Sequence, residues 1–153
     1  MLSIAIGCDP NAMELKFAII DYLNIKGYLV TDFGDEDPIY ANTAFRLATS
    51  VAANQYDRGI LICGTGIGMS IAANKVKGAY AALLSDSYSA ERAIKSNNAN
   101  IACLGALTLG KNLALNLIEI WLNAEFDENS PSAEKVKKII DYEKIKPKCI
   151  ESG

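Results

Sequence analysis

The chain contains no histidine. That absence removes the side chain that most often moves protons near neutral pH, and the imidazole on which many zinc sites rely. Acid–base chemistry here falls to Cys, Asp, Glu, Lys or Tyr, and neither a metal nor any other cofactor is expected. The four cysteines, Cys8, Cys63, Cys103 and Cys149, include no CxxC pair. Three of them end or sit inside apolar runs, so they read as reduced thiols rather than a disulfide framework. No apolar run approaches the roughly 20 residues that cross a bilayer. Nor is there an excess of basic charge: 15 Lys and Arg face 18 Asp and Glu, a net charge of −3. This points away from nucleic acid and anionic membrane surfaces as partners. The opening "MLSIAIGCDP" lacks the basic segment and cleavage site of a signal peptide. A cytoplasmic location is expected.

What is present is the composition of a soluble globular domain, half hydrophobic and 22% charged over 153 residues, long enough for one real core. Apolar runs of strand length alternate with helical periodicity. The alternation predicts strands over 2–9, 28–34, 58–64, 78–86 and 99–105. It predicts helices over 12–27, within 37–55, from the glycine corner to about residue 76, over 87–96 and over 107–126. Five βα units in series imply an α/β fold with a parallel sheet and helices on both faces. In such folds ligands bind at the C-terminal edge of the strands. Trp121 and its apolar neighbours recur at helical spacing and read as core.

A tail over 127–153 differs in character. Ser130 or Ser132 is placed to cap a helix through "AEKVKKIIDYEKI", with Pro131 at its start and Pro147 beyond its end. The expectation is a separate helical arm, following a domain over 1–126, that packs on a neighbouring subunit.

In a parallel sheet the residues after each strand share one edge: Cys8 and Asp9, residues 35–37, residues 63–68, Ser85 and Asp86, and Gly105. The third corner, within "GILICGTGIGMSIAANK", is the densest. Gly64, Gly66 and Gly68 allow backbone N–H groups to turn toward a ligand, and a helix beginning near Ile67 adds its positive end. Such a nest suits a phosphate or a developing oxyanion and would favour the thiolate of Cys63. A GxGxG turn is weakly specific by itself, and Cys8 and Cys103 read primarily as small core residues.

The segments "IAIGCD", "KGYLVTDFG", "GILICGTGIGMSIAANK", "YSAERA" and "NANIACLG" resemble the type B ribose-5-phosphate isomerases and the galactose-6-phosphate isomerase subunits, over residues 1 to about 126. The resemblance implies a three-layer α/β/α sandwich around a five-stranded parallel sheet. It further implies a homodimer or homotetramer with active sites between subunits, and aldose–ketose isomerisation of a sugar phosphate through an enediol. By position, Cys63 matches the general base, and Gly64, Thr65, Gly66, Ile67 and Gly68 match the anion hole, with Thr65 among the catalytic group. Asp9 matches the acidic residue that contacts sugar hydroxyls, with Cys8 and Pro10 beside it. Asn97 matches an asparagine lining the site, and Tyr40 a substrate-side tyrosine.

The chain departs from that family pattern where cations are expected. Pro10 replaces a histidine that helps bind phosphate, and Ser96 aligns with the histidine that opens the sugar ring. Leu107 aligns with an arginine, and "DENSPS" stands in place of a tail "GGRH" motif. Three readings compete. The chain is a galactose-6-phosphate isomerase subunit that borrows cations from a histidine-bearing paralogous partner. Alternatively it acts alone on a substrate without a ring to open, such as a tetrose phosphate, with Lys16, Arg92, Lys95 or Lys111 reaching the phosphate. Or it is a non-catalytic sugar-phosphate-binding or regulatory subunit of the same fold.

Overall fold

A computed structural model describes residues 1–145. Five parallel strands form one sheet in the order β2-β1-β3-β5-β4: β1 (Ser3–Cys8), β2 (Leu29–Asp32), β3 (Arg58–Cys63), β4 (Ala81–Leu83) and β5 (Ile101–Gly105). Between and after them run α1 (Met13–Ile25), α2 (Tyr40–Ala52), α3 (Ile67–Ala73), α4 (Ser87–Lys95), α5 (Lys111–Asn123) and α6 (Ala133–Glu143). The three-layer sandwich follows from strands buried on both faces. Ile4, Ile6, Cys8, Ile60, Ile62, Ala102 and Leu104 pack with α1, α4 and α5. Their alternates Ala5, Leu61, Cys63, Ile101 and Cys103 pack with α2 and α3. A period of two sends successive side chains to opposite layers. Trp121 is fully buried in the first layer and donates from Nε1 to the carbonyl of Ala99 at 3.3 Å.

Chain order reverses between β1 and β3, whose successors depart in opposite directions. The register pairs Cys8 with Ile62 and Cys63 with Gly105. This brings the ends of β1, β3 and β5 together at the C-terminal edge, the position where doubly wound sheets bind ligands.

The main departures from the sequence-based expectation fall at β4, α5 and α6. The strand expected over 78–86 shrinks to three residues. Gly78 adopts a left-handed conformation, and the side chain of Asn74 pairs with both the N–H and the carbonyl of Ala81 at 2.9 Å, blunting this free edge. The helix expected from 107 begins at Lys111. The preceding turn is laced to the third corner instead, through Ala106 N–H to the carbonyl of Cys63 and Leu107 N–H to that of Gly64. At the start of α6, neither expected serine makes a capping bond: Ser132 sits in helical conformation without one, and the Ser130 hydroxyl is buried without a partner.

Helix α6 lies against its own chain. Val136 is buried, and Glu143 accepts from the Tyr80 hydroxyl at 2.7 Å and from Gly78 N–H at 3.3 Å. Pro147 and Cys149 lie outside the described residues. No described helix is long and apolar enough to cross a membrane.

Candidate active site

The corner after β3 is a tight turn built around the sulfur of Cys63. Gly66 N–H donates to Cys63 Sγ at 3.1 Å, and Ile67 N–H donates to Thr65 Oγ1 at 3.2 Å. Gly66 has φ +77°, and a Cβ there would lie 2.9 Å from the carbonyl carbon of Leu104. Only glycine combines that backbone with that approach. The turn leads into α3 at Ile67, as the sequence predicts.

The structure refines which groups of the cradle are available. Two of the amides expected to face a ligand already have acceptors, the Gly66 amide in Cys63 Sγ and the Ile67 amide in Thr65 Oγ1. The first backbone hydrogen bond of α3 runs from Ser70 to Gly66. The amides of Gly68 and Met69 thus have no acceptor among the described residues. Two N–H groups beside a thiol suit the stabilisation of an oxyanion. Tyr40, the first residue of α2, lays its phenol over Gly68: a Cβ on Gly68 would fall 2.5 Å from Tyr40 Cζ. Tyr40, Cys63 and residues 64–68 thus form one constellation. Cys63 itself is 5% exposed, while Thr65 and Ile67 stand open to solvent.

Asp9 joins this corner from β1. Its N–H donates to the carbonyl of Ile62, which places Asp9 alongside the start of the β3 turn. Its Oδ1 accepts from Asn11 N–H at 2.9 Å, fixing the side chain over a short 3-10 turn that begins with Pro10. Cys8 lies one residue before Asp9 but points into the opposite layer and is fully buried. Burial, opposed by Lys16, pushes its thiol up to about 12. Its side chain is a core group rather than a ligand contact. The thiol of Cys103 is also raised by burial. The other strand-end acids are structural: Asp86 caps α4 through Ser89 N–H at 2.8 Å, and Asp37 accepts from Ile39 N–H and from Asn42.

Ser96 and Asn97 are not brought to Cys63 by their own chain. Helix α4 runs back from the C-terminal end of β4, so its last turn sits at the opposite edge, just before Ile101. From Ile101 to Gly105, the partner of Cys63 in register, the strand alone spans about 13 Å.

Of the four candidate cations, Lys16 is committed elsewhere. It is 1% exposed and donates to both oxygens of Asp32 at 2.8 Å and to Asp35 at 2.7 Å. Burial works against its charge, yet the two carboxylates outweigh it and hold its pKa above the ordinary value. This lock between α1 and the end of β2 escaped the sequence reading. Its signal was a lysine within the apolar face that contains Leu15, Ile19 and Leu23. Arg92 and Lys95 both pair with Glu91 on α4. Lys111 pairs with no carboxylate among the described residues. Leu107 is 81% exposed and stands against Gly64.

A family profile described as Ribose/Galactose Isomerase matches residues 4–139. The chain is 53% identical over 147 residues to a protein of Pectobacterium atrosepticum named D-erythrulose-4-phosphate isomerase, covering 94% of this chain and 96% of that one. It is 52% identical over 128 residues to a Listeria innocua protein named ribose-5-P isomerase B, covering 82% and 86%. The solved structure of Clostridium thermocellum ribose-5-phosphate isomerase B superposes with a TM-score of 0.88 at 42% identity, covering 94% of this chain and 98% of that one.

Proposed function

From the premise that this chain belongs to the ribose/galactose isomerase family and is an aldose–ketose isomerase of sugar phosphates, we propose that its substrate is a tetrose 4-phosphate. The observation that carries this reading is the absence of any histidine beside a complete proton-transfer corner. A tetrose esterified at O4 cannot close a furanose ring through that oxygen, so a ring-opening acid has no work to do. A relative that is 53% identical and named for D-erythrulose 4-phosphate supports the same size of substrate.

The chemistry fits the geometry. Cys63 removes the proton from C1 of the ketose, and the C–H electrons become the C1–C2 double bond. Charge moves onto O2, where the amides of Gly68 and Met69 offer donors. A proton passes from O1 to O2, and the thiol returns its proton to C2 to leave the aldehyde at C1. Asp9 and Thr65 hold the hydroxyls between which protons move. Tyr40 closes the substrate side.

The same reading assigns the working enzyme to an oligomer with its sites between subunits. Ser96 and Asn97 lie at the wrong edge to serve Cys63 of their own chain, so only a second copy delivers them. Ile67 and Ile71 flank the corner at 52% and 59% exposure, and Ile139 and Tyr142 stand exposed on α6, with Ile145 just beyond it. These surfaces suit contact with a neighbouring subunit, which is the role proposed for the tail.

The experiment is turnover by the purified full chain on D-erythrulose 4-phosphate and ribose 5-phosphate, with solvent deuterium incorporation followed by NMR. We expect the tetrose phosphate to exchange and isomerise, and the pentose phosphate to be a poor substrate. Equal or better turnover of ribose 5-phosphate overturns the tetrose assignment. Activity that appears only after adding a histidine-bearing homologue replaces it with the paired-subunit reading.

A further inference from the structure

Lys16 is buried where the loop between β2 and α2 begins, and it meets two carboxylates, Asp32 at 2.8 Å and Asp35 at 2.7 Å. One carboxylate neutralises one ammonium. A second gives the cluster a net negative charge and sets like charges against each other, so charge balance does not account for Asp35. Asp35 is nevertheless the less exposed of the two acids, 16% against 38%. The two differ in their place on the chain. Asp32 ends β2, whereas Asp35 belongs to the loop.

That loop runs past one side of the Cys63 corner and delivers a residue to it. Cys8 N–H, next to Asp9, donates to the carbonyl of Gly34 at 3.2 Å, and Gly34 N–H donates to Asp32 Oδ1 at 2.8 Å. Asp37 then accepts from Ile39 N–H at 2.8 Å and from Asn42 Nδ2 at 3.1 Å, which starts α2. Tyr40 is the first residue of that helix, and its phenol lies over Gly68. Between these ties, at residue 35, the anchor is the ammonium of Lys16.

We propose that Asp35 is a positioning residue for the isomerase: bound to the buried ammonium of Lys16, it fixes the loop that carries Tyr40 to the Cys63 corner. The inference rests on the substrate-side role proposed above for Tyr40 and names a residue that acts through it. A buried ion pair is screened far less than one in water, so it holds a loop where a surface pair would not. Without it, residues 35–39 gain freedom and Tyr40 spends less time over Gly68.

The test compares Asp35→Ala, Tyr40→Ala and the double variant as full chains. The substrate is whichever of D-erythrulose 4-phosphate and ribose 5-phosphate the parent turns over. Asp35→Ala should lower kcat/KM about 10-fold, the scale of a small misplacement at a reacting centre. Asp35→Asn, which keeps the shape and one oxygen for Lys16, should recover most of that loss. In the Tyr40→Ala background, Asp35→Ala should cost less than about twofold, because the group it positions is gone. The urea midpoint of Asp35→Ala should stay near that of the parent, since Asp32 still meets the charge of Lys16, while amide exchange over residues 36–42 quickens. If Asp35→Ala leaves kcat/KM unchanged, or costs as much without Tyr40 as with it, the inference is overturned and the role of Tyr40 stands. If Tyr40→Ala itself leaves the kinetics unchanged, the substrate-side reading fails and the inference falls with it.

Discussion

Cys63 and Gly68 illustrate two ways in which a single residue becomes irreplaceable. In the proposed mechanism the sulfur of Cys63 moves the proton, and the turn itself holds it through Gly66 N–H. Cys63→Ser should keep the fold, because the hydroxyl is smaller, and should lower kcat by about 10²- to 10⁴-fold, measured as deuterium exchange at C1. Gly68 is constrained from outside by the Tyr40 ring. Gly68→Ala should push aside the partly exposed tip of the Tyr40 ring and cost at most about 1 kcal/mol, read as the urea midpoint. Adding Tyr40→Ala should recover much of that loss, a coupling that two independent sites would not show. The sequence exposed Cys63 and the glycines as a group. It could not say that Gly68 yields to a phenol 28 positions earlier, because no local pattern encodes that contact.

At the scale of elements, polar ties decide where secondary structure docks. Lys16 joins α1 to the end of β2 through Asp32 and Asp35. Lys16→Met leaves two carboxylates facing each other and should cost about 3 kcal/mol, the lower end for breaking a buried pair, because Asp32 is 38% exposed to water. The folded pKa of Lys16 is raised. Its contribution should therefore be complete below the unfolded value near 10.5 and vanish as pH rises through the folded one. Urea midpoints of parent and variant, measured from neutral to strongly alkaline pH, should converge only at the alkaline end. At the other side of the sheet, burial and the neighbouring Glu143 carboxylate push Tyr80 up to about 12, and the phenol donates to Glu143. Tyr80→Phe should release α6 from β4 and speed tryptic cleavage at Lys135, Lys137 and Lys138, with little change in the unfolding of the sheet. Helix α6 was legible from its periodicity and Pro131, but its serine cap was not made and its seat depends on Glu143.

At the scale of the molecule, the parallel order β2-β1-β3-β5-β4 separates Cys63 from Ser96 and Asn97. If a second copy completes the site, two inactive variants should complement. Mixing equal amounts of Cys63→Ser and Asn97→Ala chains, unfolding and refolding them together, should restore roughly a quarter of the parent activity, the share of sites that receive both intact residues in random pairing. Recovery no greater than the sum of the separate variants would place both residues outside a shared intersubunit site.

Alternation of apolar runs and helical faces determined the α/β class, because both signals are local and repeat within a few residues. The same reading located the thiol, the glycine corner and the lack of histidine, the features on which the proposed proton transfer rests. Tertiary structure alone decided which groups remain available for it. Gly66 and Ile67 turned their amides inward while Gly68 and Met69 kept theirs. Lys16 was drawn into a carboxylate pair. Asn97 went to the far edge of the sheet. These outcomes depend on which distant groups meet, and burial then makes each polar atom choose the partner it finds there.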